Sequence, residues 1–247
     1  MFFFKRKEIV LDCFTTRPDV YTYFPIQPAS KLIPDWWKKL PPSYTTNGLN
    51  QNPTLKGCAG FIDYHSSAIS IPLWTDFSVK TNESSKSAEW LCADRNTTVH
   101  AHDLAQFGSY LNRNKFIHLK IVTPWLLSCK EEIKFVFSGN NWSLDTPQDL
   151  VIPNGVTNFK YQNSVNINML LFFRGSQILK LNANSPLIHM FPMTEREVKI
   201  KINLVSEEEY SKISQLFATN FFYKNYFRHK NLAKSTKRCP MSSILKS

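Results

Sequence analysis

His100 and His102 are separated by a single residue. On a strand, positions i and i+2 point to one face, the geometry with which a β-sheet offers two imidazoles to a metal ion. A complete site of that kind also needs a carboxylate shortly after and a further histidine from a later strand. The fourth residue past His102 is Gln106, and Asn158 stands where a histidine would be wanted after the Pro153-Asn154-Gly155 turn. The expectation is therefore no metal site, with His100 and His102 as ordinary hydrogen-bonded histidines. Cys58, in Gly57-Cys58-Ala59-Gly60, is the one glycine-flanked nucleophile candidate. A reactive thiolate needs a cation, a base or a helix N-terminus to lower its pKa. Lys56 and His65 are near in sequence, but Phe61-Ile62 predicts burial, so Cys58 reads as a packed core cysteine. Phosphate loops, dinucleotide fingerprints and serine-hydrolase elbows are missing from the sequence, so no catalytic residue and no cofactor are assigned. The reading is a protein that binds rather than catalyses.

Binding residues are easier to nominate. Trp36 and Trp37 are adjacent, and on a short helix they are expected to face different ways, leaving one for a protein partner or a second copy. A second group is cationic: Lys224, Arg228, Lys230, Lys234, Lys237 and Arg238 are interleaved with Tyr223, Tyr226 and Phe227, a composition suited to phosphate contact plus stacking. The chain carries a net charge of +11, yet eight positive charges and no carboxylate follow Glu209, so the preceding residues hold only +3. Any attraction for nucleic acid is thus expected to act through one appendage and not through the body.

The elements that would position these residues are mostly strands. Fourteen prolines, seven glycines and many Asn, Ser and Thr between apolar runs predict short strands with irregular connections. Residues 8–14, 116–127, 164–173, 187–193 and 197–205 read as strands, the last alternating cleanly between Val198, Ile200, Ile202, Leu204 and Lys199, Lys201, Asn203. Pro124 is expected to interrupt the second, and residues 133–137 with the turn at 138–141 form an edge hairpin. Ala68 to Val79 reads as one alternating strand, with Pro72 at an edge or bulge. A short helix is predicted in 30–42, an exposed loop over 43–53 and a capped helix from Ser206, with Glu209 completing the capping box. The prediction is a mainly antiparallel β-sandwich or distorted barrel, a single domain over 1–228 including a helix at 206–228, and a flexible basic tail at 229–247.

Five cysteines at spacings beyond thirty residues give no knuckle or redox pair, so they read as reduced thiols in a cytosol-like compartment. No apolar run of about 18 residues is present for a spanning helix, and Met1 to Lys7 is too short in its apolar part for a signal peptide. No membrane role is expected.

The segments Ile33-Pro-Asp-Trp-Trp-Lys-Lys-Leu-Pro41, Leu55-Lys-Gly-Cys-Ala-Gly-Phe-Ile-Asp-Tyr64, Ile71-Pro-Leu-Trp-Thr-Asp76, Thr123-Pro-Trp-Leu126 and Ser185-Pro-Leu-Ile-His-Met-Phe-Pro192 resemble a family of uncharacterised proteins encoded by tailed phages, marine cyanophages especially. The resemblance implies action in a bacterial host cytoplasm or in the virion, and no established activity. A second resemblance, in the order of Pro153-Asn-Gly-Val156, Tyr161 and 185–192, is to the late strands of trimeric dUTPases. It implies a nucleotide-binding barrel as the alternative to a binding or structural phage protein. Val156, Thr157 and Asn158 stand where those enzymes place an Asp, so the resemblance does not extend to hydrolysis.

Overall fold

The first and last long strands of the chain lie side by side. Ile9–Thr15 and Val198–Leu204 pair in parallel over seven residues, from Ile9 opposite Val198 to Thr15 opposite Leu204. Ile9, Leu11 and Cys13 are fully buried, so burial of one pleat face fixes this register. The computed structural model describes residues 8–46, 48, 50–82, 84, 87–108, 116–143, 149–172, 175–215, 227–228 and 230–231.

Around that pair grows a sheet of six strands. The long strand Phe116–Cys129 pairs antiparallel with Ile9–Thr15, with Ser164–Phe172 and with Val99–His102, and Leu150–Val151 closes the far edge. Pro124 does not interrupt this strand. The partner strand is irregular opposite it, between Ser164 and Asn166, and Leu127 N–H reaches Asn163 O at 2.7 Å. A bulge is where a residue without an N–H is tolerated.

The second sheet runs Gly155–Thr157, Phe135–Gly139, Pro186–Pro192, Ile69–Pro72 and Gln27–Pro28, all antiparallel. Phe135–Gly139 is therefore an interior strand and not the edge of a hairpin, because the residues after it lead to the other sheet. The two inner faces share one core, built from Leu11, Leu119, Ile121 and Ile167 on one side and Ile69, Ile71, Phe135, Ile188 and Met190 on the other. Neither sheet closes on itself, so the fold is a sandwich and not a barrel.

The alternation over 68–79 belongs to two strands. Ile69–Pro72 lies in the second sheet, while Phe77–Asn82 joins Ser87–Cys92 and Ile178–Leu181 in a three-stranded sheet. The stretch 43–53, expected as a loop, is a two-stranded ladder between Ser43–Thr46 and Asn50–Pro53. Two helices were not foreseen: Pro18–Tyr23, with proline in its first turn, and Ala59–Ser67, whose Phe61 and His65 are buried at the i, i+4 spacing of one face. Asp35–Lys39 forms the short helix around Trp36 and Trp37, after Pro34 at its N-cap. Glu207–Gln215 is the described part of the C-terminal helix, with Ser206 Oγ accepting from Glu209 N–H at 3.2 Å. Among the described residues no helix is long and apolar enough to cross a membrane.

Candidate functional site: a polar cleft beside Lys120

Alternation carries polar side chains to the outer face of the six-stranded sheet. His100, Lys120 and Asn168 are successive register partners, and His102 faces His118 one pair further along. The expectation that His100 and His102 share a face holds, and a histidine from a later strand does join them: the rings of His102 and His118 are 4.9 Å apart. Lys120, however, stands directly opposite His100, a cation where a metal site needs an anion. Among the described residues no three His, Cys, Asp or Glu side chains are placed to hold a metal ion. His118 is 4% exposed, with Nε2 at 3.0 Å from Asn168 Oδ1 and a buried Nδ1 that has no partner among the described residues. Burial draws its pKa below the ordinary value, only partly opposed by the Asn168 contact.

Next to this row, Lys120, Gln162, Ser164, Val165, Asn166 and Asn168 meet Phe137, Val156 and Thr157 around a cleft of about 290 Å³. The wall from the second sheet depends on Gly155, the register partner of Phe137. A Cβ on Gly155 would lie 2.3 Å from Phe137 Cζ, so only glycine lets the strand press against the ring. The lining offers one ammonium, three side-chain amides and two hydroxyls against an apolar edge. Among the described lining residues there is no carboxylate, imidazole or thiol.

The nominated binding residues fare differently. Trp36 and Trp37 do not face opposite sides. Both indoles pack on Phe61, Trp37 stacked at 5.1 Å and Trp36 edge-on at 5.7 Å, and Trp142 adds a third ring at 5.0 Å. Positions about 100° apart on a helix can straddle one target when the side chains are as broad as indoles. Each indole N–H is also used, Trp36 donating to Trp142 O and Trp37 to Leu55 O. Lys56 Nζ lies 4.2 Å from the Trp37 ring centre, a cation–π contact.

Of the cationic group, Arg228 is exposed, and Lys230 Nζ lies 4.0 Å from Glu132 on the body. Lys224, Lys234, Lys237 and Arg238 lie outside the described residues. Cys58 is half-buried at the N-cap of Ala59–Ser67 and not in the core.

Sequence reasoning missed a polar row, buried at Ser70 and His189, under that helix. Ser138, His189, Ser70 and Gln27 are successive partners across the second sheet, on the face away from the core. Tyr64 Oη lies 3.0 Å from His189 Nδ1, and the rings of His65 and His189 are 5.8 Å apart. His65 Nδ1 lies 3.0 Å from Phe61 O, which can only accept, so that nitrogen carries the proton. Burial takes His189 down to about 4, with His65 as the lesser cause, and lowers His65 as well. The single signal in the sequence was the i, i+4 spacing of Phe61 and His65.

Fold and cleft together define a β-sandwich with a polar ligand-sized recess at the margin of its two sheets. The chain matches no protein-family model and no curated protein.

Proposed function

We propose that the protein acts by binding, and that its ligand is a small anionic polar molecule seated in the cleft beside Lys120, with nucleotides the first class to test. The observation that carries this reading is the position of Lys120: it lines the cleft as a cation among neutral donors and acceptors, with no carboxylate among the described lining residues. A charged contact of this kind contributes more than a neutral hydrogen bond, and the amides supply orientation. The volume of about 290 Å³ falls just below the range of about 300–1,000 Å³ for small-molecule sites. Phe137 and Val156 give apolar contact to a ring. The segment whose order resembles the nucleoside-holding turn of trimeric dUTPases contributes Val156 and Thr157 to this wall, which favours a nucleotide among anionic ligands. The resemblance to tailed-phage proteins adds the setting, a bacterial host cytoplasm or the virion.

Thermal shift with nucleosides, nucleoside mono-, di- and triphosphates and inorganic phosphate tests the reading. A ligand at a hundredfold its dissociation constant adds about 2.7 kcal/mol. Lys120→Ala is expected to weaken binding tenfold or more. No shift with any compound, or equal binding by the variant, overturns it.

An interaction role has its own observation. Trp36, Leu40, Pro41, Tyr44, Pro53 and Leu55 line a largely apolar surface cleft of about 540 Å³ in which Tyr44 is 54% and Leu55 45% exposed. Exposed aromatic and leucine side chains in one place mark a protein contact. Concentration-dependent sedimentation of the wild type and of Tyr44→Glu tests it for self-association. Identical monomeric behaviour removes a second copy from the account.

A further inference from the structure

A separate hollow of about 40 Å³ opens at the end of the Phe135–Gly139 strand. Leu73, Leu150, Ile152, Leu181 and Leu187 give it apolar walls, and Asn140 stands among them. The wall at 182–187 is held in place by backbone bonds, Leu73 N–H to Ser185 O at 2.8 Å and Asn184 N–H to Leu73 O at 2.7 Å. Asn140 is 5% exposed, and neither its Nδ2 nor its Oδ1 has a hydrogen-bond partner among the described residues. An amide buried with both its donor and its acceptor unused is costly, and a protein that keeps one has an account to give of it.

We propose that this hollow is a binding site for a small molecule that presents a carboxamide. The group has a carbonyl oxygen and, on the same side, one N–H of its amide nitrogen, and Asn140 answers both at once, Nδ2–H donating to the ligand carbonyl while Oδ1 accepts from that N–H. The volume sets the size. A hollow of about 40 Å³ holds a few water molecules' worth of space, which admits the carboxamide group itself and leaves the rest of the molecule at its mouth. The charge sets the class as well: Asn140 is neutral, and neither Asn141, Ser185 nor the apolar walls described around it carry a charge, so a carboxylate or an ammonium would enter without a counter-charge. The same surroundings strengthen the paired hydrogen bonds that a neutral amide makes. The hollow shares no lining residue with the cleft beside Lys120, so the two sites are independent.

The test titrates the full-length protein, uniformly labelled with ¹⁵N, with acetamide and propanamide, and with butanone and propanoate as controls of shape and charge. Expected are saturable amide-resonance shifts confined to residues around Gly139, Leu73 and Ser185, at millimolar concentrations, for the carboxamides alone. Asn140→Leu is expected to lose the response at least tenfold and to raise Tm by roughly 2–4 °C, because it removes a buried unsatisfied amide. Leu181→Phe, which fills the hollow and leaves Asn140 in place, is expected to lose the response too. Equal shifts with butanone, no shifts with any compound, or full binding by either variant overturns the proposal.

Discussion

Phe137 and Gly155 are partners across two strands, and the ring of one occupies the space where a side chain of the other would stand. A methyl group at Gly155 would come within 2.3 Å of Cζ, 2.8 Å of Cε2 and 2.9 Å of Cε1 of the phenyl ring. Gly155→Ala is expected to destabilise the protein by about 1–3 kcal/mol through overpacking. The double variant with Phe137→Leu should recover part of the loss, a coupling that urea unfolding of the four proteins measures. Strict additivity would mean that the ring does not set the cost.

His189 predicts the acid side of the stability curve. Its folded pKa, about 4, lies below the ordinary 6.5 because burial penalises the imidazolium. The unfolded chain therefore binds the extra proton first, so this group leaves stability intact above pH 6.5 and erodes it as pH falls toward 4. The total loss is about 3 kcal/mol, at 1.36 kcal/mol per unit. Urea midpoints of the wild type should fall across that window, and those of His189→Phe should fall less. A wild-type midpoint that stays level from pH 6.5 to 4 contradicts the buried neutral imidazole.

Arg17 ties the start of Pro18–Tyr23 to a distant loop by bonding both Asp19 and Asp94. Burial pushes the Asp94 carboxyl up, but the Thr97 hydroxyl, the Asn96 backbone N–H and the Arg17 guanidinium together hold it below the usual carboxylate range. A depressed carboxylate contributes stability above its unfolded pKa and loses it as pH falls through the folded one. This loss lies below that of His189. Asp94→Asn should weaken the protein at pH 7 by about 1 kcal/mol and flatten its profile below pH 4, as chemical denaturation reads. An unaltered profile assigns the acid transition elsewhere.

Phe61 is the ring on which Trp36, Trp37 and Trp142 converge, and it is 1% exposed. Phe61→Ala should cost about 3–5 kcal/mol and shift tryptophan emission to the red as indoles lose their cover. An unchanged spectrum in a folded variant would separate the indoles from Phe61.

The strands around Ile9–Thr15, Phe116–Cys129, Ser164–Phe172 and Val198–Leu204 were legible in the sequence, because alternation with period two is a property of neighbouring residues. So was the capped start of the last helix, since Ser206 and Glu209 meet within one turn. That His100 and His102 share a face followed from the same period.

What alternation cannot express is which strand lies next to which. The parallel union of Ile9–Thr15 with Val198–Leu204, the arrival of His118 beside His102, and the meeting of Lys120 with Asn166, Asn168 and Thr157 join residues far apart in the chain. So does the placing of His65 over His189. Each such pairing is set by how the whole apolar surface is buried at once. A side chain's own sequence neighbourhood names the face it takes, and only the packed sheets name its company.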